Sequence, residues 1–221
     1  LGADLNGDGA DELIASARDS GRLYLWMGAA SGPSTARYVE LGGEAIALSG
    51  GDFRGDRGLE VAAAIPSLGA VALFELSPTV GLERAGTAWA SAFPASLVAA
   101  DLDEDGHDDL AAIDTLDRTL WVGLGDGAGG WQREHRWPLA ETPWQLFARR
   151  GAAGRELGVI SGDHQGVTLI DPLSGAVRIQ AIASGGLQAV VAGDFAAGGS
   201  DELVYLNGTA SMVEERAGFR A

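Results

Sequence analysis

Residues 4–13 read DLNGDGADEL, and residues 101–110 read DLDEDGHDDL. Both stretches place an oxygen-bearing side chain at the first, third and fifth positions, a glycine at the sixth and an acid at the ninth, just before an apolar run. In a loop of this spacing the side chains at positions one, three, five and nine and the carbonyl at seven converge on one point, and the glycine permits the sharp turn. The candidate ligands are Asp4, Asn6, Asp8 and Glu12 with the Ala10 carbonyl, and Asp101, Asp103, Asp105 and Asp109 with the His107 carbonyl. An oxygen-only set of this size selects calcium over zinc or copper, so two calcium sites are predicted. Electrostatics points the same way. Two carboxylates about 4 Å apart repel by about 4 kcal/mol at an effective dielectric of about 20, and a cation relieves that repulsion. The plainer alternative is a solvated acidic turn.

A helix-loop-helix hand shares the spacing but needs a bidentate glutamate at position twelve, where these two loops carry Ala15 and Ala112. The segments after both loops are strand-like rather than helical.

The pattern recurs along the chain, as DFRGDRGLEVAAA from 52, ARRGAAGRELGVI from 148 and DFAAGGSDELVYL from 194. The ninth positions are Glu12, Glu60, Asp109, Glu156 and Glu202, spaced by 48, 49, 47 and 46 residues. So steady a period marks a repeat architecture. The first period carries the runs ELIASA, RLYLWMG, ARYVEL and AIALSGGD, with turns at DSG and Gly-Pro-Ser. Runs such as LYLWM and VALF do not alternate cleanly, which suits strands buried on both faces, and the glycine-rich breaks come too often for helices. The expected fold class is all-β: a β-propeller over residues 1–221, built from five four-stranded repeats of about 47 residues, with the terminal blade short of its outermost strand. The number of blades in a complete ring is left open.

The second repeat keeps Asp52, Asp56 and Glu60 but has Arg54 at the third position and Arg57 where the glycine belongs, so a guanidinium is expected to stand in for the ion. The fourth (Ala148, Arg150, Ala152) and the fifth (Ala196, Gly198) are expected to hold no metal.

Thirty-one acids against fifteen bases give a net charge of −16, and every base is arginine. Such a surface repels phosphate backbones and anionic membranes and attracts divalent cations. The absence of cysteine removes disulfides, thiolate zinc sites and cysteine nucleophiles. No run of 18 or more apolar residues spans a bilayer, so no membrane insertion is expected. Leu1 falls almost on the first acidic loop, which reads as a piece of a larger polypeptide with any signal peptide upstream.

The two acidic loops, the units LVAADLDEDGHDDLAAI and VVAGDFAAGGSDELVYL, and LWVGLGDGAGGW at 120–131 together resemble the FG-GAP and VCBS repeats of integrin α-subunit propellers and of many exported bacterial proteins. The resemblance covers essentially the whole chain, with specific motifs in the first and third units. It implies a propeller, commonly of seven blades, in an extracellular, periplasmic or cell-surface setting.

Other motifs read more simply. GLGDGAGG at 123–130 lacks a Lys-Ser/Thr ending and reads as a hairpin turn rather than a phosphate loop. His107, His135 and His164 show no zinc spacing, and no GxSxG elbow marks a nucleophile. In WQREHRW, a strand would set Trp131, Arg133, His135 and Trp137 on one face, a candidate surface for a sugar or peptide, with Trp144 following. The bland alternative has these tryptophans filling the gap between adjacent units.

The expected function is a non-catalytic, calcium-stabilised module that binds an extracellular protein or carbohydrate. Two alternatives stand beside it: part of a carbohydrate-active enzyme, since propellers resembling this one include polysaccharide lyases, and a lectin reading sugars between blades.

Overall fold

The computed structural model describes residues 1–6, 8–17, 19–28, 36–56, 58–77, 81–163, 166–181, 186–195, 197–207 and 213–216; the Gly-Pro-Ser turn, Arg57, His164 and Ala196 lie outside them. The chain forms five successive antiparallel sheets, each a simple meander. The first holds β1 (Gly2–Ala3), β2 (Glu12–Ala17), β3 (Arg22–Trp26) and β4 (Arg37–Glu40). The second holds β5 (Ala47–Gly51), β6 (Glu60–Ile65), β7 (Ala70–Ser77) and β8 (Gly81–Ala90). The third holds β9 (Pro94–Ala100), β10 (Asp109–Asp114), β11 (Thr119–Gly125) and β12 (Trp131–Pro138). The fourth holds β13 (Pro143–Gly151), β14 (Gly154–Ser161), β15 (Gly166–Ile170) and β16 (Val177–Ala181), and the fifth β17 (Leu187–Gly193), β18 (Glu202–Asn207) and β19 (Val213–Arg216). Among the described residues the only helical turn is a 3-10 turn at Pro66–Leu68.

Consecutive sheets meet through their first strands: β5 touches β9, β9 touches β13, and β13 touches β17. Their faces sandwich a core at each junction, which explains why the inner strands show no clean alternation. In β6, Val61, Ala63 and Ile65 pack toward the first sheet, while Ala62 and Ala64 pack toward the third. In β10, Leu110 and Ala112 join the core shared with the second sheet, and Ala111 and Ile113 the core shared with the fourth. The strand period of two therefore sorts residues between two dry faces instead of a dry and a wet one. Each fully buried Val, Leu or Ile contributes about 1.5–3 kcal/mol, and the alanines let the sheets approach closely.

Aromatics also pack between the sheets. Trp89 and Trp121 stack across the second and third sheets with centroids 5.7 Å apart and planes 5° from parallel. Within the fourth sheet, Phe147 pairs with Gly158, and a Cβ there would overlap the phenyl ring.

Candidate metal centre

Each acidic loop joins the first strand of a sheet to the second. The third, between β9 and β10, is held by its own aspartates. Asp101 accepts from the amides of Asp105 at 3.0 Å and Gly106 at 3.1 Å. Asp103 accepts from Asp105 N at 3.2 Å, and Asp105 from His107 N at 2.9 Å. Gly106 takes φ 92°, a left-handed conformation costly for any residue with a Cβ. The first loop repeats the path: Asp4 accepts from Asp8 N (3.1 Å) and Gly9 N (2.8 Å), Asn6 from Asp8 N (2.8 Å), and Asp8 from Ala10 N (2.9 Å).

The ninth-position acid has a role that the loop motif did not announce. Asp109 is fully buried. Its Oδ2 accepts from Leu102 N at 2.6 Å and Asp103 N at 3.3 Å, and its Oδ1 from Gly125 N, at the end of β11, at 2.8 Å. Glu12 does the same with Leu5 N (2.8 Å) and Gly28 N (3.2 Å). Glu60 accepts from Phe53 N at 3.0 Å, and Glu202 from Phe195 N at 2.9 Å. The acid thus fastens the start of the loop to the second strand and, in the first and third units, also to the end of the third. A sequence signal existed: an apolar residue, Leu5, Phe53, Leu102 or Phe195, always follows the loop's first aspartate.

Asp101, Asp103 and Asp109 each bring a carboxylate oxygen to within 4.8 Å of the other two. Three oxygens at that spacing can ligate one hard cation. Burial, with neighbouring Asp103 adding to it, pushes Asp109 up to about 6, although the Gly125 and Leu102 amides pull it down. Burial and the charges of Asp105 and Asp101 also raise Asp103. Asp105 stands outside the trio; its Oδ2 accepts from the Gln132 amide at 3.1 Å. His107 donates its backbone amide to Asp105, and its ring lies against Gly127. In the first loop Asn6 donates to Glu12 Oε1 at 3.3 Å, and among the described residues Asp4, Asp8 and Glu12 form no comparable trio.

Arginine occupies the equivalent place elsewhere. In the second loop Arg54 lies 3.9 Å from Glu60 and is ion-paired with Glu75. In the fourth, Glu156 is clamped by Arg149 at 2.7 Å and Arg178 at 2.6 Å. That segment is not an open loop: β13 runs on to Gly151 and turns through Ala152 and Ala153 into β14, so Arg149 faces Glu156 across a ladder. The expected loop from 148 is therefore a hairpin, because without carboxylates at its odd positions nothing holds the chain in the wider path.

Successive loops are stitched together at position eight. Leu59 N donates to Leu5 O at 3.4 Å, Asp108 Oδ2 accepts from Asp52 N at 2.8 Å, and Asp201 Oδ2 accepts from Arg150 N at 2.6 Å.

The expected aromatic face is not assembled. Gln132 is an unpaired extra residue between Trp131, opposite Gly125, and Arg133, opposite Leu124. Such a bulge reverses the side-chain alternation. Trp131 packs on Phe53 and Trp121 between the second and third sheets, at centroid distances of 5.7 and 5.4 Å. Trp137 packs into the next core, stacked on His135 at 5.3 Å, and Arg133 is exposed. The GLGDGAGG segment is a hairpin turn closed by Asp126, which accepts from Ala128 and Gly130.

No known family's sequence model matches the chain, and no curated protein sequence matches it. Solved structures do. A protein of unknown function from Bacteroides caccae is similar with a TM-score of 0.57 at 12% identity, over 93% of this chain and 72% of that one. BBS1N, solved in complex with ARL6DN, is similar with a TM-score of 0.58 at 14% identity, over 97% of this chain and 63% of that one. This chain thus spans less than two-thirds of BBS1N's solved length. At these identities the likeness is one of fold. The class is all-β, built among the described residues from four consecutive four-stranded antiparallel sheets and a fifth of three strands.

Proposed function

We propose that this chain is a calcium-stabilised binding module of the FG-GAP/VCBS propeller type, acting outside the cell without catalysis of its own. The observation that carries the reading is the trio of Asp101, Asp103 and Asp109, oxygens gathered within 4.8 Å and, among the described residues, without an arginine partner. A dication offsets the repulsion and the burial that raise two of these acids. Asp101, Asp103 and Asp109 would hold the ion, and the ion would supply structural cross-linking of loop and strand. The first loop follows the same path with an amide at its third position, so it is the weaker of two sites. Meander sheets that meet through their first strands support reading the five units as blades.

Extracellular calcium modules work at about 10⁻⁴ to 10⁻³ M. The test is calorimetric titration of calcium into the whole chain and into Asp103→Asn. Binding in that range, with the tighter site lost in the variant, supports the reading. Heats indistinguishable from dilution for the unsubstituted chain defeat it.

A further inference from the structure

Three of the four loop junctions are closed by the position-eight bond described above; the junction between the third and fourth units is different. Its position-eight residue is Arg155, and among the described residues it makes no hydrogen bond to the third loop. A cleft of about 610 Å³ opens there, lined by Asp101, Glu104, Arg150, Arg155 and Ser200 and floored by glycine and alanine backbone at 151–154 and 198–199. It is a shallow recess, polar in its lining and open to solvent.

Two features of this cleft ask for an anion. Arg150 and Arg155 are directly opposite each other in the β13–β14 ladder, a like-charge pairing that destabilises a hairpin unless something neutralises it. Neither guanidinium forms an ion pair among the described residues, although the Arg150 amide donates to Asp201, and the Nε of Arg155 is buried with no hydrogen-bond partner. The other arginines of this hairpin region, Arg149 and Arg178, both hold Glu156. Arg150 and Arg155 line the recess together with Asp101 and Glu104, and a carboxylate is the ligand group that a pair of guanidiniums matches.

We propose that this cleft binds the carboxylate of a uronate-bearing oligosaccharide. No aromatic or branched apolar side chain lines it, so a peptide finds none of the buried anchors that carry protein interfaces. A sugar acid offers a carboxylate to the arginines and hydroxyls to the backbone floor. The proposal rests on the calcium reading above, because Asp101 belongs to both the cleft and the trio and repels an anion until a cation neutralises it.

The experiment titrates trigalacturonate into the whole chain in about 1 mM calcium, with maltotriose and hexaglutamate as comparison ligands. It is repeated in chelator and with Arg150→Gln and Arg155→Gln, whose folding is checked by thermal midpoint. Arg150 is exposed, so its variant reports on binding without disturbing a core. The expected result is binding of trigalacturonate, no heat from maltotriose, loss with chelator, and about tenfold or greater weakening in each variant. Calcium uptake without trigalacturonate binding overturns the cleft alone, whereas absence of calcium uptake overturns the reading beneath it. Tighter binding of hexaglutamate, equal binding in chelator, or unchanged affinity in both variants also overturns the proposal.

Discussion

The third and fourth units solve one electrostatic problem in opposite ways. Both place an acid at position nine near the head of the second strand. In the third, Asp109 is fully buried, tied to three backbone amides and grouped with two further carboxylates. In the fourth, Glu156 is held by two guanidiniums drawn from its own sheet. The fourth loop is a two-residue turn beside its ion pairs, while the third takes a wide path between β9 and β10 with its carboxylates gathered together. The second unit is intermediate, with a wide loop and Arg54 beside Glu60. The lesson is that the same ninth-position acid is held by backbone amides in one unit and by guanidiniums in the other, and that the path of the loop differs with it.

The largest expected effect comes from removing the hub. Asp109→Ala leaves the amides of Leu102, Asp103 and Gly125 without their acceptor, at about 1–3 kcal/mol per buried group. Chemical denaturation should show a loss of at least about 3 kcal/mol in chelator as well as in calcium. Next, calcium at 100 times its dissociation constant should add about 2.7 kcal/mol to the unsubstituted chain and much less to Asp103→Asn, read as the shift of the denaturation midpoint. Glu156→Gln should cost about 1–3 kcal/mol by removing the charge that Arg149 and Arg178 share, leaving Arg149 its bond to the Asp201 carbonyl. That loss should be the same with and without calcium.

The smallest effect is a change of pH slope. Burial pushes Glu60 from 4.5 up to about 7, against the pull of the Phe53 amide and Arg54. The folded state therefore binds this proton more tightly than the unfolded chain. Its contribution to stability is complete below about pH 4.5 and is lost as the pH rises through about 7. Glu60→Gln should flatten the stability profile over that window, and an unchanged slope would assign the titration elsewhere.

Much of this architecture was legible because its causes are local. The ninth-position acids fix the period, and glycine-rich turns between short apolar runs fix the number of strands. Asp101, Asp103 and Asp109 could be read as a group because alternate residues of a tight loop face inward. What escaped depends on neighbours distant in sequence. Asp105 turns toward Gln132, twenty-seven residues away in the chain. The same Gln132 forms the bulge that separates Trp131 from Trp137, and it sits opposite the Leu124–Gly125 step of β11 in the ladder's register. The fourth hairpin turns on Ala152–Ala153 between Gly151 and Gly154, and Arg149 faces Glu156 across its ladder, a pairing that only the register reveals. Backbone stitching at position eight leaves no residue signature where a main-chain amide does the work, as at Leu59.

The most direct measurement is an anomalous difference map from crystals grown in calcium, with data collected at a wavelength where that ion scatters anomalously. A peak enclosed by Asp101, Asp103 and Asp109, a weaker one in the first loop and none beside Glu156 is the predicted result. A featureless map at the third loop, with its three carboxylates unchanged, would contradict the account.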